Sequence, residues 1–279
     1  MSNYDDHLTL ALELTRIAER EILPRFQSVA VEHKADGTEV TAADRAAERA
    51  MRAVIRKQYP SHGIIGEEGD DVNPESRWQW VLDPIDGTTW FALGLPRFGT
   101  LVALLEEGEP VLGVIHLPMT SETVYASSGA GCWYQPGEEE RTRIRVDDSV
   151  LRLSEAFVSS AGVHNSEIEP VEGHVPVHLS PVIRTAKKFR FIGDCIQHMM
   201  VAQGKIHAAV DTIMAPWDTA ALIPCIREAG GVASTISGDT AHVVFAGSLV
   251  TAGHPQLHEQ LLDTLSPEAA HTQWSNGGC

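Results

Sequence analysis

No stretch of the chain reaches the about 18 uninterrupted apolar residues that a bilayer-spanning helix requires, so no membrane partner is expected. The opening MSNYDDHLTL has no basic segment followed by an apolar one, and a cytoplasmic location is the expectation. Cysteine is scarce: Cys132, Cys195, Cys225 and Cys279 are far apart and form no CxxC pair, which argues against a zinc ribbon and a disulfide framework and suits a reducing compartment. Basic residues are also in deficit, with 21 Lys plus Arg against 38 Asp plus Glu and a formal charge of −17. Such a field repels nucleic acid. It repels small phosphorylated molecules too, so an acidic protein that binds one needs local positive charge, which metal ions can supply. Internal repeats and low-complexity segments are absent.

What is there is a chain of 279 residues, 43% hydrophobic, long enough for one large α/β domain or two closely packed halves. From Asp6 to Phe26, Leu8, Ala11, Leu12, Ala18 and Ile22 recur at helical spacing, and Pro24 breaks the pattern. A turn centred on Lys34 to Gly37 follows. Thr41 then opens a second helix, with Asp44 three residues on as in a capping box. Ile64-Ile65 and Trp78 to Leu82 read as short strands, each ending in acidic residues. Phe98 to Leu105, Val111 to Leu117 and Thr123 to Ala126 predict an antiparallel meander, and Gln135 to Asp148 and Glu167 to Ser180 read as exposed loops. The second half alternates: strands near 156–160, 189–192, 206–210, 232–235 and 248–252, with helices to about Gln203, from Trp217 to Ala229, and from His254. A boundary near Asp147 to Leu153 would divide the chain into halves 1–150 and 151–279.

The sharpest feature is Asp83-Pro84-Ile85-Asp86-Gly87-Thr88, two carboxylates flanking what reads as a proline-stiffened turn. Hard divalent cations take oxygen ligands, and a carboxylate can bridge two of them. Two such ions can stabilise both the attacking and the leaving oxygen of a phosphoryl displacement. The amides of Gly87 and Thr88 could hold phosphate oxygens if a helix begins there. An Asp-rich turn whose side chains cap backbone amides fits the hexapeptide equally well. Glu67 and Glu68 after a short apolar run, and Asp218 at a helix start, are acids with ordinary roles of their own, but their joint occurrence favours a metal site.

In that order, Gly66-Glu67-Glu68, Asp83 to Thr88 and Trp217-Asp218-Thr219-Ala220-Ala221 resemble the three signature motifs of the inositol monophosphatase superfamily, and the match covers most of the chain. The resemblance implies a layered αβαβα sandwich of the inositol monophosphatase and fructose-1,6-bisphosphatase type, a magnesium-dependent phosphomonoesterase acting on a small phosphorylated metabolite, and a homodimer. It implies that Glu67, Asp83 and the carbonyl of Ile85 bind one magnesium, and that Asp83, Asp86 and Asp218 bind a second, with two or three ions in all and lithium as a competitor. Thr88 and Asp44 match the pair that orients and deprotonates the attacking water, and with Glu67 they make the catalytic set; Asp44 serves equally as a helix cap. Gly87 and Thr88 would hold phosphate.

For the alcohol, the resemblance points to Gly193, Asp194 and Asp211, two acids able to accept from hydroxyls or pair with an amine. Gly193-Asp194-Cys195, Phe98-Gly99-Thr100-Leu101 and Gly113-Val114-Ile115 resemble the bacterial histidinol-phosphate phosphatase branch more than the inositol branch. Histidinol phosphate is thus the first substrate, ahead of inositol monophosphate and nucleotide 3′-phosphates, with a non-catalytic metal- or phosphate-binding relative as the alternative of another class; Asp194 as a mere helix cap is the competing account. Trp90 departs from the Asn common in the family. His174 and His178 have an i, i+4 spacing, but Pro176 between them disfavours a zinc helix.

Overall fold

The computed structural model describes residues 4–28, 31–33, 39–172 and 176–266. The turn expected around Lys34 and Gly37, His174 and Cys279 lie outside them. The helix α1 (Asp5–Ile22) passes into a 3-10 turn that carries Pro24, and the ribbon β1 (Val31–His33) and β2 (Glu39–Thr41) leads into α2 (Ala42–Gln58). Thr41 caps α2, accepting from Ala43 N–H, while Asp44 accepts from Thr41 N–H, so the predicted capping box is present.

Next come β3 (Gly63–Gly66), β4 (Trp78–Asp86), α3 (Thr88–Ala92), β5 (Gly99–Glu106), β6 (Glu109–Leu117), β7 (Glu122–Ser127), β8 (Gly131–Pro136) and β9 (Thr142–Ile144). They form one seven-stranded sheet in sequence order, with β3 and β4 parallel and every other neighbour antiparallel. Glu107 and Gly108 between β5 and β6 both take positive φ, 53° and 84°, as a tight hairpin turn requires. The region expected to be an exposed loop from Gln135 therefore contains the end of β8 and all of β9. Its side chains are half-buried or exposed, and pairing such as Cys132 with Ile144, not an apolar pattern, makes it a strand.

The rest of the chain gives β10 (Phe157–Ser160), α4 (Leu179–Thr185), β11 (Lys188–Phe191), α5 (Asp194–Ala202), β12 (Ala208–Asp211), α6 (Pro216–Thr219), α7 (Leu222–Glu228), β13 (Val232–Ser234), β14 (Leu249–Ala252) and α8 (Pro255–Leu265). The second sheet runs β11-β10-β12-β14-β13. Two expectations change here. Helix α4 begins inside the expected loop because the Glu167 carboxylate, twelve residues upstream, accepts from the amides of Leu179 and Ser180. The single helix expected from Trp217 to Ala229 is two, because Pro224 has no N–H to donate to Ala220 and its ring crowds the preceding turn.

Alternation along the strands sets the layers. Val102 and Leu104 face α1 and α2 with Trp80 and Leu82, whereas Leu101, Ala103 and Leu105 face Met199 of α5 and Leu222 and Ile226 of α7. Those two helices pack on their other side against Ala209 and Leu249 of the second sheet, whose far face, with Val158 and Val250, is covered by α4 and α8. The order of layers is αβαβα. Each fully buried aliphatic side chain contributes about 2 kcal/mol, so the three clusters hold the layers together.

Candidate active site

In a regular strand, residues three apart point to opposite faces, so Asp83 and Asp86 on an ideal β4 would diverge. Asp83 pairs with Leu101 of β5 and Asp86 with Gly99, three steps against two. The extra residue is a bulge, and it turns both carboxylates toward one side. The proline-stiffened turn expected here is therefore a bulged strand end. Pro84 tolerates it because a bulged position needs no ladder N–H, and its carbonyl accepts from the buried Thr100 hydroxyl at 2.8 Å.

Asp218 reaches the same place from α6, and Asp83, Asp86 and Asp218 each offer an oxygen within 4.8 Å of the others. Asp83 is 2% exposed, and among the described residues its Oδ1 meets no hydrogen-bond partner. Burial first, then the charges of Glu67 and Asp86, push its carboxyl well above the usual range. Asp86 is raised for the same first reason and by Asp194 and Asp218, opposed by the Cys195 amide, which donates to Asp86 Oδ2 at 2.5 Å. Burial lifts Asp218 to about 6 against the stabilising Ala215 amide, which donates to Asp218 Oδ2 at 2.7 Å. Buried like charges with an orphaned oxygen are costly unless a cation lies among them, and an all-carboxylate donor set suits a hard divalent ion such as magnesium.

Glu67 follows β3 and acts on Asp83 through charge. Its loop is fixed from α2: Glu48 Oε2 accepts from the Glu68 amide at 2.8 Å, and Arg52 donates to the carbonyls of Gly69 and Asp70, both at 2.8 Å. Asp44 is fully buried and engages Thr41 through Oδ2. Thr88 Oγ1 lies 3.5 Å from Asp44 Oδ1 and 2.9 Å from the Ile85 carbonyl, so its single proton goes to Ile85. Helix α3 does begin at Thr88, after Gly87 in the left-handed region at φ 90°.

Gly193 and Asp194 open α5. Gly193 is the N-cap, and Asp194, the first helical residue, accepts at Oδ2 from Trp90 Nε1 at 2.6 Å. Burial raises its carboxyl to about 6, against that hydrogen bond. Asp211, at the end of β12, accepts at Oδ2 from Gln197 at 2.6 Å and has His198 Nε2 at 2.7 Å, with Thr251 on the other ring nitrogen at 2.9 Å. This oxygen is thus already engaged within the protein. Sequence reasoning did not single out Glu48, Arg52, Gln197 or His198. The i, i+4 pairing of Glu48 and Arg52 amid buried Ala47, Met51 and Ile55 was the one local signal.

A carboxylate cluster beside the central helices of an αβαβα sandwich marks the class of metal-dependent phosphoric monoester hydrolases. The chain belongs to the inositol monophosphatase family, whose model matches residues 3–269. It is 38% identical over 228 residues to the histidinol-phosphatase of Chlorobaculum parvum, covering 80% of this chain and 83% of that protein. It is 32% identical over 263 residues to the histidinol-phosphatase of Mycobacterium tuberculosis, covering 94% and 98%. Among solved structures, an inositol monophosphatase from Zymomonas mobilis superposes with a TM-score of 0.82 at 32% identity, over 95% of this chain and 99% of that one. No helix among the described residues is long and apolar enough to cross a membrane.

Proposed function

We propose that this phosphatase is magnesium-dependent and releases phosphate from histidinol phosphate, with inositol 1-phosphate as the alternative. The observation that carries the metal dependence is the clustered trio Asp83, Asp86 and Asp218, gathered around the buried Asp83 and its unpartnered Oδ1. Support for the substrate comes from two acids on the second sheet's side of the site, Asp194 and Asp211, and from the two histidinol-phosphatases among the relatives. Their charge complements the amine and imidazole of histidinol.

Two or three ions would be held by Glu67, Asp83, the Ile85 carbonyl, Asp86 and Asp218. Bound magnesium lowers the pKa of water and offsets the charge of the phosphate oxygens. Thr88, its proton directed to the Ile85 carbonyl, keeps lone pairs to accept from the attacking water, and Asp44 stands behind it as the family-matched acid. The amides of Gly87 and Thr88 would take phosphate oxygens. Gly193, Asp194 and Asp211 take the alcohol half, with Asp211 acting from the network that His198 and Gln197 hold. The same family likeness makes a homodimer of chains with halves 1–150 and 151–279 part of the proposal.

The test is phosphate release from histidinol phosphate, inositol 1-phosphate and a nucleotide 3′-phosphate, with magnesium and with chelator, alongside light scattering for the mass in solution. Preference for histidinol phosphate that vanishes with chelator is expected. Equal, feeble rates on all three would defeat any single assignment.

A further inference from the structure

Trp90 on α3 and Asp194 on α5 lie 104 residues apart in sequence, yet they share a 2.6 Å hydrogen bond from indole N–H to carboxylate Oδ2. Three further features fix this pair. The Arg97 guanidinium lies over the Trp90 ring, 4.8 Å from its centre, and donates to the Ile192 carbonyl just ahead of Asp194. Asp194 itself takes φ 51°, a left-handed conformation that aspartate tolerates better than most residues, directly after Gly193 at φ 81°. A Cβ on Gly87 would come within 3.2 Å of Trp90 Cδ1 and 3.4 Å of Asp194 Oδ2, so the pair abuts the residue that follows Asp86.

The chemistry of the donor matters. An indole N–H orients a carboxylate without cancelling its charge, whereas an arginine or lysine partner would neutralise it. Among the described residues, no hydrogen bond reaches Asp194 Oδ1. The result is one tied oxygen and one open oxygen, on a carboxylate that no ion pair among the described residues engages, beside Gly87.

We infer that Trp90 is a positioning residue that, braced by Arg97, aims Asp194 so that the site selects phosphate esters whose alcohol half carries a cationic nitrogen over neutral polyol phosphates. The inference rests on the phosphatase reading above. A neutral polyol gains only a hydrogen bond from Asp194, while an ammonium or imidazolium gains a charge-assisted one, and that difference depends on where the open oxygen points.

Trp90→Phe keeps the ring under Arg97 and removes the N–H. With magnesium saturating, the KM for histidinol phosphate rises about tenfold, the loss of one hydrogen bond to a charged group, while kcat stays within about threefold. The kinetic constants for inositol 1-phosphate move by less than about threefold, so the ratio of kcat/KM between the two esters collapses. Asp194→Asn, which keeps the shape and removes the charge, reproduces the collapse. A Trp90→Phe enzyme with an unchanged ratio, or one weakened equally on both esters, overturns the inference while leaving the phosphatase reading intact. Absence of magnesium-dependent release from any ester by the unaltered protein removes both.

Discussion

Arg52 Nε donates to Glu48 Oε1 at 2.7 Å with the two side chains only 9% and 2% exposed, and together they hold the backbone that carries Glu67. Removing one member of a buried pair leaves the other charge uncompensated, which costs about 3–5 kcal/mol. Arg52→Ala also strips the donors from the Gly69 and Asp70 carbonyls. The expected outcome is a loss of that size in urea unfolding, together with a higher magnesium concentration for half-maximal phosphate release. Lost stability with an unchanged metal dependence would confine the pair to a structural role.

Asp83→Asn separates function from stability because the two should move in opposite directions. The substitution removes a ligand oxygen that the proposed mechanism needs, so phosphate release falls by roughly a thousandfold or more. It also removes one of several like charges from a buried cluster, so the chelated protein melts higher than the unaltered one. Phosphate release and thermal melting in chelator measure both. A melting temperature that falls would show that Asp83 is not held against repulsion.

The raised carboxyls fix the sign of a pH effect. Asp218 sits at about 6 in the folded chain against an ordinary 3.8, so between pH ~4 and ~6 the native state binds more protons than the unfolded one. Stability contributed by this group is therefore lost as pH rises through that window in metal-free protein. Magnesium competes with those protons and should raise the melting temperature more at pH ~7.5 than at pH ~5. Paired or hydrogen-bonded acids elsewhere, such as Asp147 and Glu167, have the opposite slope, so the comparison is with Asp218→Asn. That variant should lose most of the magnesium increment; retention of the full increment would place the ion elsewhere.

The grouping of Asp83, Asp86 and Asp218 was legible in the sequence because the first two end an apolar run, the third opens a helix, and their chain order matches the resemblance. What was not legible depends on partners distant in sequence. Parity along β4 argues against Asp83 and Asp86 sharing a face, and only pairing with β5 introduces the bulge that resolves it. The start of α4 depends on Glu167, and the orientation of Asp194 on a tryptophan 104 residues away. Local propensity cannot encode either. Pro224, by contrast, was visible, and its missing N–H is reason enough to divide the helix at 217–229.

Gly113 offers a test of how closely the layers are pressed together. It lies in the middle of β6, where a side chain pointing at the central helices would ordinarily be welcome, and its backbone is not in the left-handed region. A Cβ there would overlap the carbonyl oxygen of Ala221, at the junction between α6 and α7. That carbonyl belongs to backbone rather than to the free end of a flexible side chain, and α7 behind it is packed into the core by Leu222, Ile223 and Ile226. Neither side can yield without moving the helix pair that carries Asp218. Gly113→Ala should therefore destabilise by about 3 kcal/mol, the upper range for overpacking, despite adding one methyl group. Because the displaced element bears Asp218, the magnesium needed for half-maximal phosphate release should rise as well. Urea unfolding and a magnesium titration of the same preparation read both effects, and near-normal stability would mean that the β6 to α7 contact is looser than its geometry indicates.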